Sequence, residues 1–215
     1  DKLLFREWLQ DPTPIELVGA SIGAWRMAAL AMPDPVAALE RLQHGYVRDQ
    51  NYTVKPTPDD IAVACRRIGR GVLDGRPLQV RPGVSLTIVT SRARGPLAGR
   101  ESKLAFGRAV LSNTISRDRL AAHLQRVLFT TDATFLAEPF DEFGSCVVGL
   151  TDANCEDALV ASGTIPLICS PVRDIAGAPP GNYWDGALVD YHLQLPYGRL
   201  TQGGPRRRIV LYPHF

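Results

Sequence analysis

The chain has 215 residues, 45% of them hydrophobic and 21% charged, which excludes a disordered, collagen-like or coiled-coil chain and allows one domain with a sizeable core. Lys and Arg number 24 against 22 Asp and Glu, for a net charge of +2, so no chain-wide field points to nucleic acid. Arg206-Arg207-Arg208 reads as a solvated strand edge rather than a phosphate track.

In chain order, Lys2 to Gln10 places Leu3, Leu4, Phe5, Trp8 and Leu9 on one helical face, and Asp11-Pro12 stops that helix. Ile15 to Val18 reads as a short buried strand, followed by an Ala-rich helix from Ile22 to about Met32. Asp34-Pro35 opens a third helix toward Tyr46, and Thr57-Pro58-Asp59-Asp60 opens a fourth that ends near Gly71 or Gly75. Val84 to Val89 alternates as a strand does, and Arg92 to Ser102 is a Gly- and Arg-rich connection. Ser116 is placed as the cap of a helix running through Leu120, Leu124 and Val127. Cys146 to Leu150 is expected as a strand, Glu156 to Ser162 as a helix and Ile209 to Tyr212 as a closing strand. Strands alternate with helices and no linker divides the chain. The expected fold is therefore a single α/β domain over residues 1–215, a three-layer α/β/α sandwich around a mainly parallel sheet.

The four cysteines, at 65, 146, 155 and 169, contain no Cys-x-x-Cys pair, so they read as isolated buried thiols in a reducing compartment. No apolar run approaches the roughly 20 residues of a membrane span. The acid-bearing amino terminus is not a secretory signal, and the expected location is cytoplasmic.

The informative segment is Gly19-Ala20-Ser21-Ile22-Gly23, a G-x-S-x-G pattern with a strand before it and a helix after it. Such a turn is tight, so side chains at the flanking positions 19 and 23 are expected to collide with it. It lifts the Ser21 hydroxyl out of the sheet at the start of a helix. There the free N–H of Ile22 is a natural donor to a developing oxyanion. The competing reading is a Gly-rich turn whose serine only caps the helix.

A nucleophilic serine needs a base. His44 and His123 fall within predicted helices, whereas His192 and His214 follow Asp185 in the order of a Ser-Asp-His hydrolase. Only about 14 residues precede the first strand, which is too few for the several strands ahead of that elbow. The other candidate is Asp185 itself, followed by Gly186 after the aromatic pair Tyr183-Trp184. A carboxylate shielded from water can take a serine proton directly. An Asp-Gly pair is also ordinary β-turn chemistry.

Taken together, Gly19-Ala20-Ser21-Ile22-Gly23 and Asp185-Gly186-Ala187 resemble the patatin-like phospholipase family, with its serine in G-x-S-x-G and its aspartate in D-G-G or D-G-A. The stretch Asp157 to Pro166 is similar to that family's helix-then-Pro segment, and Ser170-Pro171-Val172 fits as well. The resemblance implies a Ser21–Asp185 dyad that hydrolyses a phospholipid, lysophospholipid or other fatty-acyl ester, with no metal or organic cofactor. A membrane surface is a place where such a substrate is met. Trp25, Tyr183 and Trp184 are expected to wall a cleft that seats an acyl chain. Two departures stand out. Asp190-Tyr191-His192 replaces an Asn and a Pro, and nothing in residues 1–18 matches the family's Gly-rich oxyanion loop. The first strand and that loop are expected to precede Asp1. A non-catalytic lipid-binding module on the same fold, and a Ser-His-Asp hydrolase using His192 or His214, are the rival readings.

Overall fold

In the computed structural model, residues 14–48, 50, 52, 55–98, 117–132, 143–193 and 195 are described, together with Glu7, Val210 and Leu211. The opening helix expected over 2–10 lies outside them apart from Glu7. The strands are β1 (Ile15–Ala20), β2 (Val84–Ala93), β3 (Leu124–Thr130), β4 (Cys146–Gly149), β5 (Val172–Arg173) and β6 (Asn182–Asp185). The helices are α1 (Ile22–Ala31), α2 (Pro35–Arg48), α3 (Pro58–Val72), α4 (Arg117–Ala121), α5 (Cys155–Ser162) and α6 (Ala187–Asp190), with a 3-10 turn at Gly95–Leu97.

These elements form one open sheet in the order β4-β3-β2-β6-β5, with β1 also paired to β2. The α/β sandwich expected from the sequence is what folds. Its sheet is mixed rather than mainly parallel: β1–β2 and β3–β4 run parallel, and β2–β3, β2–β6 and β5–β6 run antiparallel. The parallel pair β1–β2 is joined through α1, α2 and α3, the crossover a parallel pair requires. Strand alternation sends β2 and β3 side chains into two cores. Leu86, Ile88, Val127 and Phe129 face the core shared with α1, α2, α3 and α5. Val89, Ala93, Leu124 and Leu128 face the core on the other side, beneath Leu97, Leu120, Trp184 and Val189. Each such Leu or Phe contributes about 1.5–3 kcal/mol by leaving water.

Local chemistry accounts for the helix starts. Asp34 Oδ1 accepts the Ala37 N–H at 3.0 Å and so caps α2. Thr57 and Asp60 close a reciprocal capping box at the start of α3. Helix α1 carries Ala24, Ala28, Ala29 and Ala31 fully buried, small residues that let its backbone lie close on the sheet.

Three expectations are corrected. The spacing Leu120, Leu124, Val127 reads as a helical face, yet only Arg117–Ala121 is helical, and Leu124–Thr130 is a strand buried at all seven positions. A strand covered on both faces loses its alternation and cannot be told from a helix by period. Arg92 and Ala93 extend β2 rather than opening a loop. Val210 and Leu211, the described part of the expected closing strand, are exposed and lie in no strand.

Candidate active site

Strands β1 and β6 occupy the same edge of β2 from opposite directions. Running parallel to β2, β1 ends with Ala20 paired to Val89. Running antiparallel, β6 ends with Asp185 paired to Thr90. The two strands therefore point their C-terminal ends at each other, and the residues leaving them are Ser21 and Gly186.

At the end of β1 the chain turns into α1 through Ser21, whose φ of 56° and ψ of −138° are rare for a residue with a side chain. Gly19 permits this turn, because a Cβ there would sit 2.6 Å from the Ala24 backbone. The expected collision at the other flanking glycine does not arise: beyond its chain neighbours and its own helix backbone, no described atom lies within 4 Å of a Cβ on Gly23. Gly186 has the tightest fit, since its Cβ would lie 2.2 Å from the Val89 carbonyl oxygen and 3.2 Å from Ala20 Cβ. Only a glycine lets the two strand ends approach this closely.

The Ser21 hydroxyl donates to Asp185 Oδ2 at 2.7 Å. The other carboxylate oxygen, Oδ1, accepts the Ala187 N–H at 2.8 Å. The Asp185 backbone is fixed too, with its N–H on the Thr164 carbonyl at 2.9 Å and its carbonyl accepting the Ser91 hydroxyl at 2.7 Å. Asp185 is 5% exposed. Burial raises its pKa above the ordinary carboxylate value, partly offset by the bonds from Ser21 and Ala187, which favour the ion. The result is a desolvated carboxylate that is more basic than usual and in contact with a hydroxyl.

The Ser21 backbone N–H donates to Ser162 Oγ at 3.0 Å, and Ser162 in turn donates to the Val89 carbonyl at 2.7 Å. Ile22 begins α1, where helix geometry leaves the N–H without an intrahelical acceptor. Ser91, Ser162 and Thr164 are missed from the sequence. Ser162 and Thr164 do lie in the helix-then-Pro stretch that carries the resemblance, but nothing in the pattern singles out their side-chain or backbone bonds.

The other candidates sit elsewhere. His192 is exposed and packs edge-on against Tyr191 with ring centroids 5.0 Å apart. His44 is exposed on α2, and His214 lies outside the described residues. Trp25, Tyr183 and Trp184 are core side chains rather than walls of a cleft, exposed by 3%, 0% and 1%. Trp25 donates from Nε1 to the Leu159 carbonyl, and Tyr183 from its hydroxyl to the Pro179 carbonyl. Burial pushes the Cys65 thiol up to about 11 and that of Cys155 to about 12, so neither is a thiolate at neutral pH. A recess of about 270 Å³ lined by Arg70, Leu78, Asp152 and Glu156 includes neither Ser21 nor Asp185.

A family model described as patatin-like phospholipase matches residues 8–192. The chain belongs to that family. No curated protein and no solved structure matches it. In this patatin-like chain the matched span takes in both Ser21 and Asp185, along with every element that positions them.

Proposed function

We propose that this patatin-like protein is a serine acyl-ester hydrolase whose dyad is Ser21 and Asp185 and whose substrates are lipids carrying fatty-acyl esters. The carrying observation is the 2.7 Å bond from Ser21 Oγ to Asp185 Oδ2, made by a serine on a strained strand-to-helix turn. Family membership supports the reaction class.

Ser21 Oγ attacks the ester carbonyl carbon as Asp185 takes the hydroxyl proton. The carbonyl oxygen becomes an oxyanion at the N-terminus of α1, where the Ile22 N–H and the helix dipole stabilise it. Collapse expels the alcohol with the proton held on Asp185 and leaves an acyl-serine. Asp185 then deprotonates a water molecule that attacks the same carbon. Release of the fatty acid returns the proton to Ser21. Gly19 and Gly186 give the backbone its close approaches, and Gly23 leaves the first turn of α1 open.

Two observations weigh against a histidine base. The oxygens of Asp185 accept from the Ser21 hydroxyl and the Ala187 N–H, and among the described residues no imidazole bonds to either. His192 faces outward beside Tyr191. The lipid class gains support from the segment after Thr164, where Ile165, Leu167 and Ile168 are exposed by 48%, 54% and 52%. Exposed apolar side chains beside a site suit an aggregated or long-chain substrate. Among the described residues no helix is long and apolar enough to cross a membrane.

The test is hydrolysis of p-nitrophenyl esters and of phospholipid vesicles. Ser21→Ala and Asp185→Ala are expected to fall to background, while His192→Ala keeps its rate. Wild-type protein that binds vesicles but turns over neither substrate would instead identify a lipid-binding module.

A further inference from the structure

We infer that Ser162 is a positioning residue of the proposed hydrolase, the group that holds the nucleophile's backbone in its strained conformation and aims the Ser21 hydroxyl at Asp185. This rests on the Ser21–Asp185 reading of the site.

Ser162 is the last residue of α5 and is 0% exposed. A hydroxyl this deep must be satisfied by protein, and its two partners fix it completely. Its proton goes to the Val89 carbonyl at 2.7 Å, which leaves a lone pair to accept the Ser21 N–H at 3.0 Å. The relay therefore runs from Ser21 N–H through the Ser162 hydroxyl to the Val89 carbonyl. Because that hydroxyl cannot rotate without abandoning Val89, the direction of the Ser21 N–H is fixed, and with it a φ of 56° that an L-residue rarely adopts.

The same bond decides which amide of the turn is open. The N–H groups of Ser21 and Ile22 are adjacent where the turn enters α1. Ser162 occupies the first and leaves the second to an oxyanion. The bond of Ser162 is to the Ser21 backbone and not to its hydroxyl, so Ser162 acts through the placement of Ser21. It also lies 141 residues from Ser21 in the chain, so it fastens α5 to the turn across β2.

Ser162→Ala removes the hydroxyl and orphans the Ser21 N–H and the Val89 carbonyl together. With p-nitrophenyl butyrate, kcat is expected to fall about tenfold with KM within twofold. Labelling of Ser21 by a fluorophosphonate should slow by the same factor, well below the melting temperature. Ile68→Ala, a truncation on the buried face of α3, is the control: it is expected to lower the melting temperature and leave kcat unchanged. Ser162→Cys fills the same space with a weak donor and acceptor and carries the test if the alanine variant does not fold. Its kcat should lie between those of wild type and alanine. The inference is overturned if Ser162→Ala keeps kcat within twofold of wild type, or if both positions lose rate only in proportion to lost stability. If even the wild type hydrolyses nothing, the hydrolase reading falls, and a crystal structure of Ser162→Ala still decides this point. Ser21 leaving its positive-φ conformation supports the positioning role. Ser21 unmoved, with Oγ still within hydrogen-bond reach of Asp185, removes it.

Discussion

Ala20 and Asp185 pair with consecutive residues of β2, Val89 and Thr90, although 165 positions separate them in the chain. This is what brings Ser21 onto the carboxylate. Each strand ends where the other ends, and the first atom past β1 with chemistry to offer meets the last side chain of β6. Neither strand places a functional group by itself.

The raised pKa of Asp185 has two consequences of known sign. As the proposed base it must be ionised, so kcat/KM is expected to fall on the acid side with a midpoint above the ordinary carboxylate value. For stability, the folded protein holds this proton at a pH where the unfolded chain has already lost it. Stability therefore declines as pH rises from the unfolded pKa through the raised one, and is level above it. Asp185→Asn does not titrate, so its stability relative to wild type should be greater at pH 7 than at pH 4. Urea titrations at the two pH values measure the difference.

The three glycines of the two motifs should respond differently to alanine. Gly186→Ala drives a methyl group into the Val89 carbonyl, and Gly19→Ala drives one into the α1 backbone. Each is expected to cost on the order of 2 kcal/mol or more, read by urea unfolding. Gly23→Ala meets no described atom within 4 Å beyond its own helix backbone and chain neighbours and lies in the first turn of α1. It should stabilise by about 0.5–1 kcal/mol, the helix preference of Ala over Gly.

Leu167 is 54% exposed and has a φ of 69°, which costs a residue with a Cβ about 1–2 kcal/mol. Leu167→Gly is expected to raise the melting temperature by about 2–4 °C. If the exposed segment meets lipid, the same variant should lose rate on phospholipid vesicles and keep it on a soluble short-chain ester. Equal rates on both substrates would remove this support for the lipid class.

Arg126 on β3 and Asp190 at the end of α6 form a 2.9 Å ion pair with side-chain exposures of 1% and 4%. Arg126 also bonds Ser145 Oγ and lies 5.6 Å from the Phe143 ring centre. Arg126→Met leaves a buried carboxylate without its cation and should cost about 3–5 kcal/mol, while adding Asp190→Leu should recover most of the loss. Thermal unfolding of the two variants checks this. Because α6 follows directly from Asp185 and Gly186, the single variant should also lower activity.

Much of this arrangement was legible in the chain. The strand–Ser21–helix context and the caps at Asp34 and Thr57 are local, and local rules found them. Asp185 was reached by residue type and resemblance, because a four-residue strand ending in Asp-Gly looks like a turn when the residue that Asp185 pairs with, Thr90, is 95 positions away. The misreading of β3 has the same root. Gln125, Arg126 and Thr130 are buried polar residues satisfied by long-range partners, so their sequence carries no period-two signal. Ser91 and Ser162 were invisible because what they bond is decided entirely by register on β2. Gly23 shows the opposite error, a motif position credited with a steric need that the described atoms do not impose.

The shared edge of β2 also limits how this fold can change length. Most loops between strands and helices accept an inserted residue at modest entropic expense. Here an extra residue before Ser21 or before Gly186 would have to occupy the same step between Val89 and Thr90 that the opposing strand already closes. It would move one member of the proposed dyad by a full residue and turn its side chain to the opposite face of the sheet. Insertions should therefore be tolerated beyond α1 and α6, and nowhere between the end of either strand and the helix that follows it.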